Sequence, residues 1–283
     1  MLRVHAPAKI NLHLRVLARR DDGYHDLETV LQAVDLFDRL IIRKARSEIS
    51  LEVPGFADLE HDSNLIVRAV RCVEQKTGRT LPAAIRLEKN IPVAAGMGGG
   101  SSDAAAALLG IRALYGLDLT DEDLHELAAT LGADVPFFLI GGTAVGEGIG
   151  QRLTPVQLPT DYSLVLVNPG FSVSTATIFR NFSKTLTGTP RKGTLWWTLE
   201  RSRGVERLLH NDLQPVAEEL YPEISDVRRA LEIAGAEFVL MTGSGPTVFA
   251  VVELGRADKI AGRMSGSWNC FSARPVKTGI VID

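Results

Sequence analysis

Pro92-Val93-Ala94-Ala95-Gly96-Met97-Gly98-Gly99-Gly100-Ser101-Ser102-Asp103 is the stretch on which the reading of this chain turns. Four of the five positions from Gly96 to Gly100 are glycine, and that much glycine is costly to order. A flexible hinge or a plain helix cap is a poor reason to keep it. Glycine-rich backbone can approach a polyanion closely and turn its N–H groups toward it. The following Asp103–Tyr115 is rich in alanine and leucine and is closed by Gly116, so it reads as a buried helix. A glycine loop that runs into a helix start favours phosphate, through free N–H groups and the helix dipole. Ser101 and Ser102 add hydroxyls for phosphate oxygens or a magnesium ion. A P-loop is excluded, because no lysine precedes the serines; a dinucleotide fingerprint laid on Gly96 and Gly98 lacks its third glycine.

Outward from the loop, the N-terminus alternates strictly. Val4, Ala6, Ala8, Ile10, Leu12 and Leu14 point one way and His5, Pro7, Lys9, Asn11, His13 and Arg15 the other. Period two predicts a strand with one buried face, and it puts Lys9 beside Asn11. Asp21-Asp22-Gly23 is turn chemistry, and a second strand is expected near Leu36–Arg43. Ser63 and Asn64 precede an apolar helical face that begins at Leu65. Ala84–Glu88 reads as a strand. Thr120 and Asp123 resemble a capping box for a helix through Leu131, and Asp134-Val135-Pro136 opens a short helical segment. The polar, proline-containing Gln151–Asp161 is expected to be a loop, and divides the chain into domains 1–155 and 156–283. Beyond it come a strand at Ser163–Val167, a helix at Ala176–Phe182, and a polar stretch at Thr185–Lys192. Helices near Trp196–Leu209 and Pro222–Ala234 and strands at Glu237–Met241 and Thr247–Val252 complete the pattern. Strands and helices mix without a repeating strand–helix rhythm, so the class is α+β.

The 283 residues are 45% hydrophobic, enough for one large or two modest cores, and the net charge is −3. No basic excess argues for nucleic acid; the cluster Arg201, Arg203 and Arg207 reads as a solvated face. Two distant cysteines suit reduced thiols. No signal-peptide pattern or membrane-length apolar run is present, and a soluble cytoplasmic protein is expected.

Singly, the candidates for proton handling are mute. Asp134 followed by Val-Pro suits an N-cap, and Lys9 suits an exposed lysine. Gly243-Ser244-Gly245-Pro246-Thr247 suits a β-turn as well as a phosphate-side loop. Together the segments resemble the GHMP kinase superfamily. Pro7-Ala8-Lys9-Ile10-Asn11-Leu12 resembles its first motif, Pro92–Ser102 its second, and Met241-Thr242-Gly243-Ser244-Gly245-Pro246-Thr247 its third. Three motifs in order over nearly the whole chain are far more specific than one. Within the superfamily, Asp22-Gly23-Tyr24-His25-Asp26-Leu27, Gly132–Phe138 with Gly141-Gly142-Thr143-Ala144, and Asn211-Asp212-Leu213 are similar to the branch that acts on a cytidine diphosphate methylerythritol.

The resemblance implies a two-domain GHMP kinase fold. Its N-terminal domain would be like ribosomal protein S5 domain 2, its C-terminal domain would be ferredoxin-like, and the active site would lie between them. It implies ATP and magnesium ion (Mg2+) as cofactors and a small-molecule partner, with neither nucleic acid nor membrane. Carried over, Asp134 is the catalytic base and Lys9 its charged partner. Pro92, Val93, Ala94, Ala95, Gly96, Met97, Gly98, Gly99, Gly100, Ser101 and Ser102 hold the nucleotide, with Asn64 and Lys89 near the adenosine. Asn11, Tyr24, His25, Thr175 and Phe179 face the phosphate acceptor. The superfamily often has glycine where this chain has Ala94 and Ala95. Thr185–Arg207, with Trp196 and Trp197, matches no motif, and the sequence marks neither magnesium ligands nor an oligomeric state. Other readings of the same motifs are a kinase of mevalonate, homoserine or a sugar, a non-enzymatic ligand sensor, and a nucleotide-binding module without chemistry.

Overall fold

The structure, a computed structural model, describes residues 1–183, 193, 195–201, 204–264, 266 and 268–283. The polar stretch 185–192, Arg203 and the side chains of Trp197 and Arg201 lie outside that description.

The strands β1 (Leu2–Arg19) and β2 (His25–Lys44) form a long antiparallel hairpin. Its turn holds Asp21-Asp22-Gly23, and Arg20 N donates to Tyr24 O at 2.8 Å across it. The strand expected from Leu36 starts at His25 instead. Glu28, Thr29 and Gln32 interrupt the apolar pattern yet lie buried within the sheet. Strands β3 (Ser50–Glu52) and β4 (Ala83–Glu88) extend the sheet from the C-terminal half of β2. From its N-terminal half the sheet continues into β5 (Thr143–Gly148) and β6 (Arg152–Val156). Strand β6 occupies part of the expected Gln151–Asp161 loop; the ladder to β5 overrides a sequence with little strand patterning.

Helices α1 (Leu65–Thr77), α2 (Gly99–Tyr115), α3 (Asp121–Leu131) and α4 (Val135–Ile140) pack against this sheet. Asn64 caps α1, accepting from Ile66 N, and the Thr120–Asp123 capping box closes reciprocally. Such caps stabilise a helix by ~1 kcal/mol each. Helix α2 begins at Gly99, four residues before the expected Asp103. The loop proper is therefore Pro92–Gly98, and Gly99–Ser102 form the first helical turn.

The chain leaves this sheet after Val156 and enters a second one at β7 (Tyr162–Asn168). Next come α5 (Thr175–Phe182), α6 (Leu195–Arg201), β8 (His210–Asn211), α7 (Gln214–Leu220), α8 (Pro222–Ile233), β9 (Phe238–Met241) and β10 (Val248–Glu253). Helix α9 (Ala257–Met264), β11 (Asn269–Ala273) and β12 (Val281–Ile282) end the chain. The second sheet has the antiparallel order β11-β7-β10-β9. Numbered by chain order that is 4-1-3-2, the ferredoxin-like arrangement the resemblance implied. Strands β8 and β12 return to the first sheet, each beside β1. The single helix expected near Trp196–Leu209 is instead α6 followed by a 3-10 turn at Val205–Leu208.

Between the sheets lies a third apolar cluster, in which Ala8, Ile10 and Leu12 of β1 meet Leu164, Leu166 and Phe249. The apolar positions of β1 are buried as its alternation predicts, but a register shift at Pro7/Ala8 divides them: Val4 and Ala6 pack with the helices, and Ala8, Ile10 and Leu12 pack between the sheets. The polar face of β1 is not solvated as expected: Lys9, Asn11 and His13 are 5%, 4% and 7% exposed. Residues from the loop before α2 and from the β9–β10 turn cover that face, a contact that alternation cannot report.

One buried ionic group supports the start of α2. Lys89 Nζ is hydrogen-bonded to Asp38 and donates to Asp103 Oδ2 at 2.9 Å; all three side chains are nearly inaccessible. Asp38 also accepts from the backbone N–H groups of Asn90 (2.6 Å) and Ile91 (2.9 Å). Burial pushes the Asp103 carboxyl up to about 8; the Lys89 ammonium opposes the rise and the Asp38 carboxylate adds to it. The folded chain thus keeps a proton that the unfolded chain releases near the ordinary value of 3.8. The resulting stability is complete below that value and is lost as the pH climbs through about 8. Asp103→Asn is expected to remove this dependence. From about pH 5 to about pH 9 the thermal midpoint of the unaltered protein should fall relative to the variant. Parallel curves would show that Asp103 is ionised in the fold throughout.

Candidate active site

Lys9 leaves the polar face of β1 with its side chain 6% exposed. Its Nζ donates to Asn11 Oδ1 at 2.7 Å, two residues along the same face. Asn11 Nδ2 donates to Thr29 Oγ1 (2.8 Å), and Thr29 in turn donates to His13 O (2.6 Å). Asn11 N donates to Thr242 Oγ1 at 2.9 Å, which ties β1 to the third motif. Asp134 stands at the start of α4, where its side chain makes no capping hydrogen bond. Its carboxylate, 42% exposed, faces Lys9 Nζ at 3.7 Å. Asp134 thus holds the N-cap position, as its sequence suggested, without making the side-chain cap.

The glycine loop threads between these groups. Lys9 N donates to Met97 O at 3.0 Å. A Cβ on Gly96 would lie 2.8 Å from Thr242 O and 2.9 Å from Gly245 O. At Gly98, where φ is +70°, a Cβ would lie 2.8 Å from the Phe138 ring and 3.1 Å from Lys9 Cγ. Both glycines are therefore required by close approach as well as by any ligand. Ala94 has φ +52°, a left-handed conformation that costs an L-residue about 1–2 kcal/mol. Ala95 and Met97 are buried and pack in the apolar cluster between the sheets.

Two cavities flank this loop. The larger, about 700 Å3, is lined by Lys9, Asn11, Asp134, Gly96, Gly98 and Ser101 at one end. Tyr24, His25 and Phe179 line it farther along the first hairpin, and Thr175 lines it beside Ser244. The smaller, about 270 Å3, is lined by Asn64, Lys89, Pro92, Val93, Ala94 and Gly99, with Gly100 beside them. Helix α2 points its N-terminus between the two. Gly98 is its N-cap and supplies no side chain, so the first N–H groups of the helix have no intrahelical acceptor. That is an anion site made of bare backbone.

Most of the residues expected at the site line one or other cavity. Lys89 reaches the smaller one, but its amine is held by Asp38 and Asp103. Asn64 lines the same cavity while capping α1. Ser102 Oγ is buried with no partner, whereas Ser101 lines the larger cavity. At the far end of that cavity Tyr24 is 60% exposed and His25 is buried, its ring 5.1 Å from that of Phe179. Thr175 Oγ1 is 2.7 Å from Ser244 Oγ.

Sequence reasoning missed Arg19, Arg180, Ser183 and Ser244, which also line this cavity. For Ser244 the signal was present, since it lies in the third motif. Arg20 is absorbed by Asp22 and Asp26, which leaves Arg19 to face the cavity; the sequence does not tell the two apart. Asn211 proves to be a clamp: its Nδ2 donates to Met241 O (2.7 Å) and Gly243 O (2.9 Å). Among the described residues no cluster of three or more acidic, histidine or cysteine side chains offers a metal cage, and no helix is long and apolar enough to cross a membrane.

Comparison with known proteins agrees with this geometry. Residues 64–142 match the family described as GHMP kinases N terminal domain, and residues 199–270 match GHMP kinases C terminal. A 4-diphosphocytidyl-2-C-methyl-D-erythritol kinase from Syntrophus aciditrophicus (strain SB) is 40% identical over 98% of this chain and 100% of its own. One of the same name from Pelotomaculum thermopropionicum is 44% identical over 91% of this chain and 92% of its own. A crystal structure of 4-(cytidine 5'-diphospho)-2C-methyl-D-erythritol kinase superposes with a TM-score of 0.82 at 36% identity, covering 97% of this chain and 99% of that one. With its three motifs brought to one cleft and these likenesses running nearly end to end, the chain belongs to the 4-diphosphocytidyl-2-C-methyl-D-erythritol kinase family of the GHMP kinases.

Proposed function

We propose that this protein transfers the γ-phosphoryl group of ATP to the 2-hydroxyl of 4-diphosphocytidyl-2-C-methyl-D-erythritol, giving the 2-phosphate and ADP. The reaction belongs to the non-mevalonate isoprenoid route, and the enzyme would be built from two domains, 1–155 and 156–283. One observation carries the reading. The Lys9–Asp134 pair, 3.7 Å apart, lines the cavity into which Gly96, Gly98 and Ser101 also open. A nucleotide in the smaller cavity and an alcohol in the larger would meet there.

Because C2 of the acceptor carries a methyl branch, its hydroxyl is tertiary and far less acidic than a carboxylic acid. Full deprotonation before attack is therefore unnecessary, and a loose transition state needs little activation of the nucleophile. Asp134 orients the hydroxyl and takes its proton late. The hydroxyl oxygen bonds to the γ-phosphorus as the bond from phosphorus to the bridging oxygen breaks and ADP leaves. Lys9, held in place by Asn11, stabilises negative charge on the transferring group. The N–H groups at the start of α2 hold the phosphates, and positioning supplies much of the rate.

Magnesium fits this site as an ion carried on the nucleotide phosphates, the usual mode for a cation that keeps several waters. Ser102 Oγ, buried without a partner, and Ser101 would hold it. Bound there, it would neutralise phosphate charge.

At the far end, aromatic faces at Tyr24 and Phe179 support stacking of the cytosine, and stacking alone tolerates any base. Discrimination falls to hydrogen bonds at the base edge, with His25 placed to make one.

Two outcomes follow. Asp134→Asn is expected to lower phosphoryl transfer by about 10²–10⁴-fold, the range for a lost general base, while ATP affinity is retained. Near-normal turnover would take Asp134 out of the mechanism. In a coupled assay the cytidine substrate is expected to exceed its uridine analogue in kcat/KM by about 10- to 100-fold, as good base-edge contacts allow. Equal use of both would count against the cytidine assignment; ADP release with homoserine or mevalonate instead would reassign the acceptor.

A further inference from the structure

Ser183 ends α5, and no motif draws attention to it. Its Oγ makes two hydrogen bonds. It donates to the Phe179 carbonyl oxygen at 2.8 Å, and His25 Nε2 lies 2.6 Å from the same Oγ. A hydroxyl has one proton to give, and a carbonyl oxygen can only accept. While that proton is on Phe179 O, Ser183 can only accept from His25, an arrangement that puts the hydrogen on Nε2. Burial, aided by the positive charge of Arg19, lowers the imidazole pKa. A neutral ring with hydrogen on Nε2 has a lone pair on Nδ1. Nδ1 has no hydrogen-bond partner among the described residues, and His25 lines the large cavity beside Phe179.

We propose that Ser183 is a positioning residue that fixes the tautomer of His25 and thereby the base preference of the cavity. The inference rests on the cytidine reading above. A lone pair on Nδ1 accepts from an exocyclic amino group such as that of cytosine. Uracil carries a carbonyl oxygen at that place, and two acceptors would then face each other. The opposite tautomer, with hydrogen on Nδ1, would welcome the carbonyl and reject the amino group. Ser183 disfavours it, because donating to Nε2 would withdraw the hydroxyl hydrogen from the Phe179 carbonyl. The same residue thus couples the edge-reading imidazole to the backbone of the aromatic residue beside it. The hydroxyl is not needed to close the helix, since Ser183 N also donates to Phe179 O.

The test uses the full-length protein with 15N-labelled histidine. Nitrogen–proton correlation spectra report the His25 tautomer, and calorimetry compares CDP with UDP. For the unaltered protein the expectation is hydrogen on Nε2 and tighter binding of CDP. In Ser183→Ala both tautomers should be populated, and the CDP-to-UDP affinity ratio should fall by about two- to tenfold, the worth of one net hydrogen bond. Ser183→Thr, which keeps the hydroxyl, should restore both readouts. Hydrogen on Nδ1 in the unaltered protein would overturn the proposal, and that spectrum decides even where the alanine variant fails to fold. So would a Ser183→Ala variant unchanged in tautomer and ratio. Should CDP and UDP bind the unaltered protein equally, the cytidine reading falls as well; a kept preference with an unchanged variant removes only the role of Ser183.

Discussion

A lysine ammonium removed from water needs partners for its charge and for its protons, and burying it without them is prohibitive. Lys9, on a strand inside the molecule, sets that requirement near the start of the chain. Asn11 meets part of it and is itself held by Thr29 and by Thr242, more than two hundred residues later. Asp134 meets another part across the cleft. The arrangement closes only if the first hairpin, the loop before α2, α4 and the β9–β10 turn all arrive at one place. Motifs distant in sequence are thus joined by the solvation of one cation, and the site is a by-product of satisfying it.

The glycine loop fits the same logic. Its composition suggested ligand binding, because ordering so much glycine is costly. The structure adds a second reason. At Gly96 a side chain would meet the carbonyls of Thr242 and Gly245, and at Gly98 it would meet Phe138 and the stem of Lys9. The loop has to lie against the third motif and the lysine before it can present N–H groups to a phosphate. Packing between lobes and phosphate binding therefore ask for the same residue at the same positions. Ala94, with φ +52°, shows that the turn is kept even where the permissive residue is not.

Much of this was legible, and the limits have physical causes. Local chemistry was readable: the Asn64 cap, the Thr120–Asp123 box, the hairpin turn and the run of glycines into a helix each follow from neighbours within a few residues. Contacts set at long range were not. Alternation in β1 showed which side was apolar but not that the other side was covered, since the cover comes from the loop before α2 and from Thr242. Strand β6 carries little strand signal and is held by its ladder to β5. Helix α2 starts at Gly99 because glycine, though a poor helix former, can occupy a first turn whose N–H groups are turned outward. The second motif marked the end of the cleft at which α2 begins. The polar groups around the hairpin end of the larger cavity, Arg19, Arg180 and Ser183, sit in ordinary-looking sequence and become visible only when α5 folds over the hairpin.

The two buried lysines show how far residue type alone can carry an assignment. Both were singled out as site residues, and both prove almost inaccessible. Lys89 is flanked by Asp38 and Asp103 and is fully supplied with opposite charge; burial leaves Asp103 holding a proton rather than adding a second full negative charge. Lys9 has a neutral amide at 2.7 Å and a carboxylate at 3.7 Å that is itself 42% exposed. The first group is electrostatically closed and can only support the helix start above it. The second leaves positive charge facing an open cavity at a helix N-terminus, where an arriving phosphate finds attraction from both. The difference lies in what the fold places around each amine, which is why one lysine braces the cleft and the other faces the open cavity.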